Sequence, residues 1–85
     1  MNLLKLLDTV ALLKDLPAER LTLIAPDYPL TGLPIGLVGT IVHVQEHDHE
    51  LLYLVEFSDS NGCEYAMATL RASELLVLRY ELIAA

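Results

Sequence analysis

The stretch Gly36-Leu-Val-Gly-Thr-Ile-Val-His-Val44 constrains the fold of this chain more than any other. Two glycines three apart lead straight into a β-branched run, and such a run fits a pleated strand better than a helix. Glycines at a strand entry serve a positive φ or a close approach of two backbones. A regular strand here puts Val38, Thr40, Val42 and Val44 on one face, with Ile41 and His43 on the other. The charged stretch Glu46-His-Asp-His-Glu50 then reads as a hairpin tip and residues 51–57 as the return strand. Within that strand Tyr53, Val55 and Phe57 share one face, and Leu52, Leu54 and Glu56 the other. Ser58-Asp-Ser-Asn-Gly62 is the strongest turn signal, because Asn-Gly supplies the positive-φ positions of tight hairpins. Residues 63–69 form a further strand, with Tyr65 and Met67 expected to face inward.

Both ends of the chain are less regular. Leu3, Leu6, Leu7, Val10 and Leu13 fit helical spacing, while Val10 and Leu12 also fit strand alternation, and Pro17 limits any helix that would precede it. Residues 16–34 hold all four prolines and only weak alternation, which predicts a long excursion with a short turn near residues 17–20. Loops of that length in small domains are often functional. Leu23, Ile24, Tyr28, Leu30 and Leu33 are therefore the candidate partner-binding residues. Residues 70–74 read as one tight helical turn and residues 75–80 as the last strand. The resulting expectation is an all-β domain. Its five short strands close into a small barrel, with a long first loop and one 3-10 or helical turn before the last strand.

At 85 residues the chain makes one domain, residues 1–85, around a single core. Hydrophobic residues are 54% of it, and a core this small cannot hide every one of Leu3, Leu4, Leu6, Leu7, Leu12, Leu13, Leu51, Leu52, Leu75, Leu76 and Leu78. Leftover apolar surface points to a protein partner or to self-association. The formal charge of -7 repels phosphate backbones and anionic lipid, so nucleic acid is not the expected partner. Cys63 is the single cysteine, which excludes an internal disulfide and fits a reducing cytoplasm. No apolar run approaches the ~18 residues of a membrane span, and the opening residues lack the layout of a secretory leader.

His43, His47 and His49, with Glu46, Asp48 and Glu50, form the one dense set of metal-capable side chains. In an extended strand His47 and His49 point to the same side, so two imidazoles and a carboxylate could meet Zn²⁺ or Ni²⁺. A solvated hairpin tip is the competing reading. No Ser-His-Asp order or paired carboxylates can be argued from spacing, so neither an enzyme nor a cofactor is expected. Tryptophan is absent, and Tyr28, Tyr53, Tyr65 and Tyr80 are too scattered for an aromatic groove that takes proline-rich peptides.

The segments Leu7-Asp-Thr-Val-Ala-Leu-Leu-Lys-Asp-Leu-Pro17, Leu33-Pro-Ile-Gly-Leu-Val-Gly-Thr-Ile-Val42, Tyr53-Leu-Val-Glu-Phe57 and Thr69-Leu-Arg-Ala-Ser-Glu-Leu75 together resemble a family of small bacterial, notably cyanobacterial, SH3-like domains of unknown function. The resemblance implies the barrel, favours a strand over residues 9–14 as the first of the five, and brings no catalytic residue. Residues 18–31 depart from it as a longer first loop. The function expected from the sequence is a non-catalytic, cytoplasmic protein-interaction module. One alternative is a nucleic-acid-binding barrel, which needs Lys5, Lys14, Arg20, Arg71 and Arg79 on one face. The other is metal binding through the His43, His47 and His49 region.

Overall fold

The computed structural model describes residues 4–24 and 31–78. Eight strands are present among them: β1 (Thr9–Leu12), β2 (Leu16–Pro17), β3 (Leu21–Leu23), β4 (Gly32–Leu33), β5 (Val38–His47), β6 (Glu50–Ser58), β7 (Glu64–Arg71) and β8 (Leu75–Leu78). Two 3-10 turns, Ala18–Arg20 and Ala72–Glu74, lead directly into β3 and β8. Six strands form one antiparallel sheet in the order β3-β7-β6-β5-β1-β8, and β2 pairs with β4 beside it. The expected count of five strands is corrected to eight among the described residues, of which β1, β5, β6, β7 and β8 correspond to the expected ones. The excursion of residues 16–34 is more ordered than its composition implies: β2, β3 and β4 lie within it. Each is only two or three residues long, too short to register as alternation.

The expected closed barrel is corrected to an open sheet. β3 and β8 are its two ends, and no ladder joins them. The last strand ends at Leu78 among the described residues, and the helical turn occupies Ala72–Glu74.

Glycine does two different jobs at the entry to β5. Gly36 has a φ of +88°, which a residue with a Cβ rarely adopts. Gly39 serves close approach instead. It lies opposite Val10 in the ladder, and a Cβ built on it would sit 2.7 Å from Val55 Cγ1 and 2.9 Å from both the Glu56 carbonyl oxygen and Phe57 Cδ1. The hairpin tip is a two-residue turn at Asp48-His49 with φ of 50° and 67°. Positive φ at both central residues matches the right-handed twist of the flanking strands. The next connection is held by Asp59, whose Oδ1 accepts the N–H groups of Asn61 at 2.9 Å and Cys63 at 3.0 Å, with Gly62 at φ +78°.

Two bulges reset the alternation. Val42 is the extra residue between the pairs Ile41↔Val55 and His43↔Leu54. As a result Ile41 is buried upstream, Val44 packs on the core downstream, and His43 faces solvent, so Val38 and Val44 do not share a face. Tyr65 is the extra residue between Phe57↔Ala66 and Ser58↔Glu64. Tyr65 is buried as expected, but beyond it the inward set is Ala66, Ala68 and Leu70. Met67, expected to face inward, is only half-buried. Tyr53, Val55 and Phe57 point into the core, where they meet Val10, Leu12, Leu16, Leu33, Ile41 and Leu75. No polar or charged residue is buried among the described residues.

Candidate functional site

The two 3-10 turns share a local pattern, Ala18-Glu-Arg-Leu21 and Ala72-Ser-Glu-Leu75. In each, the closing leucine donates its N–H to the alanine carbonyl, and the residue before that leucine is charged. The charges are opposite, and they meet. Arg20 Nη1 donates to Glu74 Oε2 at 2.6 Å and Nη2 to Oε1 at 3.0 Å, the forked geometry in which guanidinium and carboxylate pair most strongly. Arg20 Nη2 also donates to the Thr69 carbonyl at 3.1 Å. The Arg71 backbone N–H donates to Glu74 Oε1 at 3.0 Å, and Lys14 Nζ stands 3.8 Å from Oε2. The guanidinium of Arg20 thereby holds the Glu74 carboxyl at about 2, with the Arg71 N–H and the Lys14 charge acting in the same direction against the opposing effect of burial. Glu74 in turn raises the Arg20 guanidinium above its ordinary value.

These residues line a cleft of about 500 Å³ formed by Lys14, Arg20, Arg71, Ser73 and Glu74. It brings together Lys14, Arg20 and Arg71, three of the cations named for the nucleic-acid alternative. Each of them has a carboxylate partner: Arg71 Nε lies 3.2 Å from Glu50 Oε1, and Lys14 and Arg20 face Glu74. The cleft is therefore close to neutral. Because Arg20 and Glu74 immediately precede β3 and β8, the pair ties the two ends of the open sheet with side chains where a closed barrel would use a backbone ladder. The sequence reading missed this contact because the partners are 54 residues apart. The repeated Ala-x-charge-Leu pattern was the available signal.

The predicted partner-binding residues fall into three groups. Leu23 and Ile24 are exposed at the end of β3, where the Ile24 N–H donates to the Tyr65 carbonyl. Leu33 is corrected: at 3% exposure it is a core residue of β4, opposite Leu16, and unavailable to a partner. Tyr28 and Leu30 lie outside the described residues.

The metal reading loses its geometric basis. His47 ends β5 opposite Glu50, whereas His49 sits in the turn with positive φ, so the two are not alternate residues of one extended strand. His47 Nε2 is 3.3 Å from its exposed neighbour Asp48. No three His, Cys, Asp or Glu side chains are gathered as a metal site among the described residues.

Part of the surplus apolar surface lies on the outward face of β5, β1 and β8; Leu6, Leu7 and Ile35, outside these strands, are exposed as well. The ladder aligns Val38, Ala11 and Leu76 in one row and Thr40, Thr9 and Leu78 in the next. Val38 is 47% exposed, Leu76 50% and Leu78 41%. Leu13, one step beyond Ala11 on the same face, is exposed too.

An open antiparallel sheet with its ends tied by an ion pair, and with no helix among the described residues long and apolar enough to cross a membrane, defines an all-β domain. Residues 6–77 match the family model described as "Domain of unknown function (DUF4926)", and the chain belongs to that family. No curated protein and no solved structure matches it.

Proposed function

We propose that this domain is a non-catalytic protein-interaction module with an SH3-like arrangement of strands, in which β8-β1-β5-β6-β7 is the five-strand set and residues 16–34 are its elaborated first loop. A cytoplasmic, bacterial setting belongs to the same reading, supported by the single cysteine and by the resemblance described above. The observation that carries it is the exposed apolar surface of Val38, Leu76, Leu78 and Leu13; Leu23 and Ile24 form a separate exposed spot at the other end of the sheet. Single exposed leucines are ordinary, but aligned ones on neighbouring strands mark a contact surface.

The test is affinity capture by the full chain, compared with a Leu23→Asp, Leu76→Asp variant that keeps its thermal transition. A defined protein, or a second copy of the chain, held by the wild type and lost by the variant supports the reading. A wild type that retains nothing and stays monomeric removes it. Nucleic-acid binding is the second reading: Lys14, Arg20 and Arg71 gather in one cleft, and phosphate would have to displace Glu74 and Glu50 from them. Its signature is retention of RNA or DNA that weakens steeply with added salt.

A further inference from the structure

The hydrogen-bond pattern of β8 specifies what can dock on it. Leu13 N–H donates to the Glu74 carbonyl at 2.9 Å, so Leu13 and Glu74 form a hydrogen-bonded pair in the antiparallel ladder. Such pairs alternate with non-bonded ones. It follows that Leu76 and Leu78, opposite Ala11 and Thr9, bond to β1, whereas Leu75 and Val77 turn their backbone groups away from it. The other side of β1 agrees, since Leu12 N–H donates to the Leu37 carbonyl of the β5 side at 2.9 Å. Leu75 N–H is turned back onto the Ala72 carbonyl. Val77 is therefore the described β8 residue that offers both an N–H and a C=O outward, on a strand with no further neighbour in the sheet order.

Proteins ordinarily guard such an edge with a charge, a proline or a bulge. β8 reads Leu-Leu-Val-Leu and has none of them. The other end strand, β3, is one residue shorter and begins beside the Arg20 guanidinium.

We propose that β8 pairs antiparallel with β8 of a second copy of this chain, about a two-fold axis at Val77, joining two sheets into one. This deepens the interaction-module reading and rests on it. The strand is self-complementary in that register. Val77 of each copy donates to and accepts from Val77 of the other, and Leu76 of one copy stands opposite Leu78 of the other. Both leucines lie on the outward face and are exposed in the single chain, so four of them cluster across the axis. No charged residue of β8 is brought against its own copy, although each chain carries -7 overall. A contact this short is at the small end of specific interfaces, so the dimer is reversible and dependent on concentration. Because the residual force between copies is like-charge repulsion, added salt strengthens it, the opposite of a partner held by charge.

Sedimentation equilibrium of the full chain up to about 1 mM tests this, the range in which so small a contact is still populated. The mass should rise from 9.4 kDa toward twice that value, more readily in high salt. The Val77 amide should exchange more slowly as concentration increases. Val77→Pro removes an N–H that no described strand of the single chain uses, so the ladder to β1 stays intact and association falls at least tenfold. Leu76→Lys provides an independent check with the same expected loss. The proposal is overturned by a wild type that remains at 9.4 kDa throughout, or by one that associates equally well with both substitutions. If Val77→Pro dimerises unchanged, the edge pairing falls while the interaction module stands. A wild type that binds an added extended peptide at Val77 but never itself assigns the edge to a foreign strand and likewise overturns self-pairing.

Discussion

The β5-β6-β7 meander is held by side chains that avoid water, and the seam ahead of β3 and β8 by side chains that normally seek it. In the meander, Phe57 lies against the gap left by Gly39, and Tyr53 and Val55 are fully buried in the same apolar cluster. Burial pushes the Tyr53 phenol above its ordinary value, as expected of a ring withdrawn from solvent. At the seam one guanidinium and one carboxylate do the holding, and the nearby cations keep that carboxylate charged. The difference teaches that the centre of this domain should tolerate changes of pH but not of volume, and the seam the reverse.

The largest effect should come from the centre. Phe57→Ala removes a fully buried ring and should cost about 3–5 kcal/mol, enough to leave so small a domain barely folded in a denaturant titration. Gly39→Ala tests the same region from the opposite direction. Its Cβ meets the Glu56 carbonyl as well as two side chains, and strain of about 1–3 kcal/mol should appear as a lowered melting temperature. A melting temperature unchanged by Gly39→Ala would show that the strands can part to make room.

Glu74→Gln should cost about 1–3 kcal/mol, because it weakens the charged bonds to Arg20 and Arg71 while keeping the shape. The pH dependence has a definite sign. The folded-state value is depressed to about 2, so the stabilisation is fully present above the ordinary glutamate range of about 4.3 and is lost as pH falls toward 2. The gap between wild type and Glu74→Gln should therefore narrow below about pH 4, and a gap constant from pH 7 to pH 2 would contradict the clamp. The smallest effect belongs to the hairpin tip. Replacing Asp48-His49 by Asn-Gly relieves two positive-φ residues and should stabilise by about 1 kcal/mol without touching centre or seam.

The same contrast explains what could be read from the sequence. Tyr53, Val55 and Phe57 were legible as an inward row because β6 alternates without interruption through them. Val44 and Met67 were not, because one extra residue in β5 and one in β7 reverses the parity of everything beyond it, and a bulge leaves no mark in a pattern of apolar letters. The short strands β2 and β4 were hidden among prolines, which also hid Leu33 in the core. The Arg20-Glu74 pair was illegible for another reason: periodicity reports neighbours along one element, and this contact exists only once six strands are ordered.

Closing the sheet with one reaching side chain in place of a ladder also changes what the domain can tolerate over time. A backbone ladder fixes strand spacing residue by residue, so an insertion beside it shifts every partner. A single long arginine asks only that its target lie within reach. Small shifts of the turn that carries Arg20 against the turn that carries Glu74 can therefore be taken up by the side chain while the central strands keep their register, making that flank the natural place for related chains to diverge.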